Sequence, residues 1–119
     1  MMKWNELKDV NQLGGLIEES QKQPILIFKH STSCSISNTA LSRLERNWNE
    51  NEMKDVKPYF LDLLSYRSIS NKIAGQFFVE HESPQVLLIQ HGQSVYNCSH
   101  LDIDYKGLRV EIEKKIFQK

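Results

Sequence analysis

Short apolar runs along the chain predict the strands of a sheet. Residues 25–28 are an unbroken apolar run, typical of a strand that is covered on both faces, so we expect a central strand there. A second strand is predicted at 59–64, directly after Pro58, because proline is tolerated at the start of a strand but not in its middle. Residues 86–89 and 95–96 are two further apolar runs. The short polar loop between them contains Gly92, and this combination predicts an antiparallel hairpin.

Four other segments place apolar residues three and four positions apart, which predicts amphipathic helices. Their apolar positions are Leu13, Leu16 and Ile17; Ile36, Ala40, Leu41, Leu44 and Trp48; Ile69, Ile73 and Phe77; and Leu108, Ile112 and Ile116. Predicted caps are Asp9 with Gln12 for the first helix, Ser65 or Ser68 for the third, and Asp102 or Asp104 for the fourth, whose C-terminal end carries Lys114, Lys115 and Lys119.

The order of these elements predicts a mixed α/β fold. Two strand-helix-strand steps require parallel pairing, and the hairpin adds an antiparallel strand. We therefore expect a thioredoxin-like domain spanning 1–119, with a central four-stranded mixed sheet and about four flanking helices. In such a fold the first core strand leads to the helix that carries the reactive sulfur, and a proline begins the hairpin beside it. Cys34 and Pro84 occupy those two places.

Composition narrows the classes of function. Apolar residues are 39% and charged residues 25% of the chain, which fits a soluble globular protein. Fifteen basic and fifteen acidic residues cancel without forming blocks, so neither nucleic acid nor a charged membrane is an expected partner. The N-terminal residues are polar and lack the features of a secretory signal. A cytoplasmic monomer is the expectation.

Cys34 is the strongest candidate for chemistry. It lies between the strand at 25–28 and the helix predicted at 36–48, and a helix N-terminus favours the thiolate, the form that attacks a disulfide. The alternative is a small buried residue without chemical use. Polar neighbours on both sides of Cys34 argue for the reactive interpretation. His30 is expected to be a structural hydrogen-bonding group more than an acid or base, and no metal site is predicted.

Two segments carry a resemblance to a known family. Residues 24–37, which include Cys34, and the run 81–86, which includes Pro84, resemble the monothiol bacilliredoxins of the YtxJ type. The resemblance covers nearly the whole chain. It implies a thioredoxin-like oxidoreductase that removes bacillithiol from mixed disulfides on client proteins. Bacillithiol would be a co-substrate, with no tightly bound cofactor, and free bacillithiol or a reductase would regenerate the enzyme.

This sequence departs from the family pattern at three positions. Ser35 stands where the family usually has proline, so the turn before the helix is expected to be looser. Phe78 stands where a glycine often ends the third helix, which costs about 1 kcal/mol if the residue is left-handed. Cys98 has no counterpart in the pattern.

The resemblance also assigns roles to residues. Cys34 would be the nucleophile, and Ser37 stands where a dithiol enzyme keeps its resolving cysteine. The Ser37 hydroxyl could donate a hydrogen bond to the sulfur, or it could simply bond to backbone at the helix start. The residues expected to hold substrate are Ser33, Ser35, Ser83, Pro84, Ser99 and His100, with the Ser83–Pro84 bond predicted to be cis.

Alternatives remain for the second cysteine and for the function. Cys98 is predicted in the loop after the last strand, where it is either incidental or a resolving cysteine for Cys34. The N–H groups at the start of the last helix, near Ser99 and His100, are expected to hold the carboxylates of bacillithiol. Rival functions are a non-catalytic thioredoxin-like module that binds proteins, and a glutaredoxin-like iron-sulfur carrier.

Overall fold

The apolar run at 25–28 lies at the centre of a mixed five-stranded sheet. The computed structural model describes residues 2–114. Its strands are β1 (Asn5–Glu6), β2 (Ile25–His30), β3 (Lys57–Asp62), β4 (Gln85–Gln90) and β5 (Gln93–Ser99), and its helices are α1 (Gln12–Glu19), α2 (Ser35–Asn47), α3 (Arg67–Phe77) and α4 (Tyr105–Ile112). The strand order is β1-β3-β2-β4-β5, with β1, β3 and β2 parallel and β4 and β5 antiparallel to their neighbours. The predicted thioredoxin-like arrangement is confirmed, with one strand more than expected.

The first three strands each differ from the prediction, and β5 (Gln93–Ser99) is much longer than the predicted 95–96. β1 was missed because two polar residues carry no hydrophobic pattern. β2 continues beyond Phe28 through Lys29 and His30, and all six of its residues are buried. β3 begins before Pro58 and ends at Asp62. Pro58 is compatible with this strand because β1 pairs only with the two residues that follow it, so its missing N–H is not needed on that side.

The hairpin is confirmed, and its turn is tighter than predicted. β4 and β5 are joined by two residues, His91 and Gly92, whose φ angles are both positive at 53° and 73°. Two left-handed residues are what a type I′ turn requires. The turn is also attached to the end of α1, because His91 N–H donates to Ser20 O at 2.8 Å and Gly92 N–H donates to Ser20 Oγ at 2.9 Å.

The helix caps were predicted in part. Gln12 Oε1 accepts from Asp9 N–H at 2.9 Å, as in the expected capping box, but α1 begins only at Gln12, with Asn11 as its N-cap residue and no side chain capping it. Asp104 caps α4 by accepting from Gly107 N–H at 3.1 Å. Neither Ser65 nor Ser68 caps α3: Tyr66 is its N-cap residue, and no side chain caps it. The predicted positions Lys115, Ile116 and Lys119 lie outside the described residues.

Alternating residues of the strands divide the core into two layers. One layer packs Ile25 and Ile27 of β2 against α1 and α3, and we call it the α1/α3 layer. The other packs Leu26 and Phe28 against α2 and α4, and we call it the α2/α4 layer. Because side chains alternate along a strand, the odd-numbered residues of β2 enter the first layer and the even-numbered residues enter the second.

Phe78 follows α3 in the left-handed conformation that was anticipated at this position. Its φ is 55° and its side chain is 94% exposed. Residues other than glycine adopt this conformation at a cost of about 1 kcal/mol. The aromatic ring recovers none of that cost by burial.

Candidate active site

The segments that hold the predicted site residues meet at one end of the sheet. Gln85, the first residue of β4, lies opposite Lys29 near the end of β2 and opposite Ser99 at the end of β5. The chain that leaves β2, the chain that enters β4 and the chain that leaves β5 therefore share this edge. Cys34, the Ser83–Pro84 bond and His100 lie in those three segments.

Cys34 is the N-cap residue of α2, as the sequence predicted. Its backbone is extended, with φ −105° and ψ 121°, and its carbonyl accepts the first helical bond from Asn38 N–H at 3.0 Å. The side chain is partly exposed and does not itself cap the helix. The sulfur therefore stands at the positive end of the helix dipole with access to solvent. Its neighbours Ser33 and Ser35 are exposed.

Ser37 is fully buried in the first turn of α2, and its hydroxyl is already engaged. Ser37 Oγ lies 2.7 Å from His30 Nδ1 and accepts from Ser31 N–H at 3.0 Å. No hydrogen bond joins it to Cys34 among the residues that the structure describes. A hydroxyl has a single proton to donate. This geometry corresponds to the structural alternative for Ser37, and a part for it in the sulfur chemistry stays a prediction.

His30 is the last residue of β2, whereas the predicted strand ended at Phe28. It is 4% exposed, and its ring lies 6.1 Å from that of Phe28 and 5.5 Å from that of Phe60. Burial lowers the pKa of His30, although the charges of Asp62 and Glu45 oppose that effect. At neutral pH the ring is therefore a neutral hydrogen-bonding group that holds Ser37.

The Ser83–Pro84 peptide bond is cis, as predicted. Pro84 is buried at the start of β4, and its carbonyl accepts from His100 N–H at 2.9 Å. The Ser83 hydroxyl is buried without a hydrogen-bond partner among residues 2–114. This segment is thus fixed to the end of β5.

Ser99 and His100 lie at the same edge, but in a different setting from the one predicted. Ser99 Oγ donates to Glu82 Oε2 at 2.7 Å. His100 begins a 3-10 turn of three residues, and α4 starts only at Tyr105. The free N–H groups of a helix start, which were expected here, are therefore missing at this position, because the N–H of His100 is bonded to Pro84. The exposed His100 side chain is the group that remains available to a ligand.

Cys98 lies within β5 and not in the loop where it was predicted. It faces Val86 across the hairpin and packs against the α2/α4 layer. Burial raises the pKa of its thiol; a hydrogen bond from Tyr96 opposes that rise, while Asp102 and Asp104 add to it. A thiol held in its protonated form is a poor nucleophile. These features favour an incidental Cys98 over a resolving one.

Sequence reasoning missed a buried lysine near this edge and the half-buried histidine that it contacts. Lys29 is completely buried, and its Nζ lies 3.4 Å from His81 Nδ1. His81 comes three residues before Pro84, so Lys29 reaches the segment that enters β4. The available signal was the continuation of an apolar strand into a lysine, a residue that is almost never fully buried without a partner.

Two negative findings concern residues 2–114. No helix in that range is long and apolar enough to cross a membrane. Within the same range no three side chains of His, Cys, Asp or Glu are grouped so that they could hold a metal ion.

Comparison with protein families identifies one match. The family model described as monothiol bacilliredoxin BrxC matches residues 5–108. That span includes β1 to β5, the cysteine at the start of α2 and the cis proline. It covers far more than half of the chain.

Comparison with solved structures supports the fold independently. A protein described as a candidate oxidoreductase with a thioredoxin fold is 31% identical, with a TM-score of 0.76 over 89% of this chain and 90% of that one. Thioredoxin from Fasciola hepatica is 19% identical, with a TM-score of 0.71 over 92% and 97% of the two chains. Thioredoxin from Trypanosoma brucei brucei is 14% identical, with a TM-score of 0.73 over 98% and 93%. The two thioredoxins share the fold.

Proposed function

The chain belongs to the monothiol bacilliredoxin family, and we propose that it removes bacillithiol from mixed disulfides on client proteins in the cytoplasm. Family and fold together make it an oxidoreductase of the thiol-disulfide type. The observation that carries the finer proposal is the setting of Cys34: a partly exposed sulfur at a helix start, with a buried serine where a resolving cysteine would stand. A lone thiol in that place must hand its adduct to a second molecule.

In the first step the Cys34 thiolate attacks the bacillithiol sulfur of the modified client. The bond between that sulfur and the client sulfur breaks while the bond to Cys34 forms, and the client cysteine leaves as thiolate. One disulfide replaces another, so no external oxidant or reductant is consumed. The client regains its free thiol, and Cys34 carries bacillithiol.

In the second step another thiol releases the adduct. A free bacillithiol thiolate, or the thiol of a partner reductase, attacks the bacillithiol sulfur on Cys34, and Cys34 leaves as thiolate. Ser37 cannot perform this attack, because a hydroxyl does not form a disulfide. Cys98 is partly buried in the α2/α4 layer, and burial holds it in the thiol form. The regenerating thiol therefore comes from outside the chain.

The same edge of the sheet supplies the contacts proposed for the substrate. The backbone of Ser83, beside cis Pro84, would pair with the client chain as an added strand does at a sheet edge. The hydroxyls of Ser33 and Ser35 flank the sulfur and are exposed. The bacillithiol moiety would reach towards Ser99 and His100, where the His100 side chain is free to donate to a carboxylate. The enzyme is proposed to act as a monomer.

Intact-mass analysis tests this proposal. The reduced protein is incubated with a bacillithiolated client, using wild type, Cys34→Ala and Cys98→Ala. We expect one bacillithiol to move to the wild type and to Cys98→Ala, and none to move to Cys34→Ala. Addition of free bacillithiol should then remove the adduct.

The other outcomes are informative. A wild type that loses two hydrogens and forms a bridge between Cys34 and Cys98 would be a dithiol enzyme, and the monothiol mechanism would be wrong. If no bacillithiol moves although Cys34 reacts with iodoacetamide, the substrate is another mixed disulfide. If Cys34 neither transfers bacillithiol nor reacts with iodoacetamide, the fold serves as a binding module.

A further inference from the structure

Lys29 has an unusual environment for a charged side chain. It is 0% exposed near the end of β2, and its side chain points into the α1/α3 layer beside Ile27. None of the carboxylates of residues 2–114 forms an ion pair with it. Its Nζ has two neighbours, Ser70 O and His81 Nδ1, each at 3.4 Å, which is long for a charge-assisted hydrogen bond.

Such an arrangement costs folding free energy. A buried ammonium loses its hydration, and two long contacts with neutral groups recover only part of it. Burial lowers the pKa of Lys29 from 10.5 to about 8. An apolar side chain of similar length would fill the same volume without that cost, since replacing buried charges by hydrophobic groups is often neutral or stabilising. Stability alone therefore does not account for a lysine here.

The contacts of Lys29 lead to the segment that contains the cis proline. An ammonium can only donate, so His81 Nδ1 must accept from it, and Ser70 Oγ lies 3.1 Å from the same nitrogen. The His81 ring is thereby held neutral, with its proton on Nε2. Burial lowers the pKa of His81, and the charges of Lys29 and Arg67 lower it further against the opposing charge of Glu82.

The rest of this segment is fixed on its other side. Gln85 Nε2 donates to Glu80 O at 3.0 Å, Ser99 Oγ donates to Glu82, and His100 N–H donates to Pro84 O. The contacts from β5 secure Glu82 and Pro84. On the side of α3, His81 Nδ1 is held by two groups, Ser70 Oγ at 3.1 Å and the charged Lys29 Nζ at 3.4 Å.

We propose that Lys29 is a positioning residue for the Ser83–Pro84 segment, holding that segment through His81 in the place where a client chain pairs with it. This inference deepens the proposed function and rests on it only in that a client chain docks at this edge. Lys29 acts on the binding of the polypeptide and leaves the intrinsic reactivity of Cys34 unchanged.

A peptide disulfide that contains no bacillithiol tests this inference. Cys34 attacks the peptide sulfur of a peptide joined to thionitrobenzoate, and coloured thionitrobenzoate leaves as thiolate while a Cys34–peptide disulfide forms. The small disulfide dithiobis(nitrobenzoate) releases the same product without a peptide. The ratio of the two rate constants measures how far the enzyme prefers a polypeptide substrate.

We expect wild type to react faster with the peptide disulfide than with the small disulfide. In Lys29→Met the ratio of these two rate constants should fall about tenfold. The rate constants of Lys29→Met with the small disulfide and with iodoacetamide should stay within about twofold of wild type, and its melting temperature should be equal or higher. His81→Leu should behave like Lys29→Met. His81→Asn, whose Oδ1 can accept in place of Nδ1, should recover the preference.

Three results would overturn the inference. Lys29→Met with an unchanged preference and a lower melting temperature would make Lys29 purely structural. Equal losses with the peptide, the small disulfide and iodoacetamide would mean that Lys29 acts on the sulfur itself. If wild type does not prefer the peptide disulfide over the small disulfide, no peptide binding exists that Lys29 could support. Failure of wild type with a bacillithiolated client, together with a normal peptide result, would reject the proposed function and leave the inference standing.

Discussion

Lys29 and His30 are neighbours in one strand, both are buried, and they are satisfied in opposite ways. His30 enters the α2/α4 layer as a neutral ring, with a 2.7 Å contact to Ser37 and aromatic rings around it. Lys29 enters the α1/α3 layer as an ammonium with two contacts of 3.4 Å. No carboxylate among residues 2–114 forms an ion pair with it. The sheet thus separates a well-paired polar group from a poorly paired one by a single residue.

The difference shows that burial alone does not determine whether a polar side chain stabilises or destabilises the fold. The His30 contact fixes the start of α2 and so helps hold the helix that carries Cys34, which makes it stabilising in itself. Lys29 gains less from its partners than it loses in hydration. Poorly paired buried charges cluster at functional sites, because there selection retains them for a reason other than stability.

The largest predicted effect concerns the charge of Lys29. A fall in pKa from 10.5 to about 8 corresponds to about 3 kcal/mol of folding free energy. Between those pH values the unfolded chain binds a proton that the folded chain has lost, so the stability of wild type rises with pH. The stability of Lys29→Met does not depend on this proton. Its unfolding free energy relative to that of wild type should therefore fall by about 3 kcal/mol between pH 7.5 and 10.5, measured by urea unfolding.

Lys57→Met is the matched control for that measurement. Lys57 is paired with Glu19, and its hydrogen bond to Glu19 raises its pKa. Wild type should therefore gain no stability over Lys57→Met as the pH rises. A constant difference between wild type and Lys29→Met across the same range would show that the pKa of Lys29 is the same in the folded and unfolded chains, so that burial does not lower it.

The next largest effect is expected when the partner of His30 is removed. Ser37→Ala leaves His30 Nδ1 and Ser31 N–H buried without their partner, so we expect a loss of about 2 kcal/mol in unfolding free energy. Ser33→Ala, at an exposed position two residues after Ser31, should lose nothing measurable. An unchanged stability of Ser37→Ala would mean that water or Cys34 replaces the hydroxyl. A large fall in the alkylation rate of Cys34 in Ser37→Ala would show that Ser37 contributes to the reactivity of the sulfur.

A smaller effect is expected for His30→Phe, which keeps an aromatic ring among Phe28 and Phe60 and removes only the hydrogen bond. The cost should be about 1 kcal/mol at pH 7, since Ser37 still accepts from Ser31. Burial lowers the pKa of His30, so the unfolded chain takes up a proton first as the pH falls through about 6.5. Wild type loses stability there, and the cost of His30→Phe should shrink at pH 5. A cost that grows in acid would show that the folded protein holds a charged His30.

The smallest effect lies away from both layers. Phe78→Gly removes a left-handed phenylalanine that is 94% exposed, and it should raise the unfolding free energy by at most about 1 kcal/mol. Peptide preference and alkylation rate should be unchanged, because Phe78 follows the C-terminal end of α3 whereas His81 contacts its first turn. Loss of stability in Phe78→Gly would mean that the ring has a partner in solution.

The sequence was sufficient to predict the main backbone features that position the site. Cys34 at a helix start, cis Pro84 and the antiparallel hairpin all followed from residue types with one strong local preference or from their positions in the fold. A left-handed residue at Phe78 was considered only because the family that the sequence resembles often has a glycine there. These features depend on a few neighbouring residues, so they can be inferred without tertiary contacts.

The rest depends on contacts between distant residues. Lys29 is part of β2 because its backbone pairs with Leu61 and Gln85, and its ammonium contacts Ser70 and His81, 41 and 52 residues away. Cys98 belongs to β5 because that strand pairs with β4 along its full length, whereas its polar neighbours suggested a loop. The 3-10 turn at His100 likewise reflects its bond to Pro84. No local propensity predicts such partners.

The attachment of the hairpin turn to Ser20 limits how this protein can be engineered. Tips of two-residue hairpins are usual sites for inserted tags or for new termini in circular permutants. Here both N–H groups of the turn donate to Ser20, and a Cβ on Gly92 would lie 3.6 Å from Ile17 and Gln21. A fluorescent reporter inserted between β4 and β5 would break the contact between the hairpin and α1. The exposed connection between α2 and β3, around Asn51, is the better insertion point.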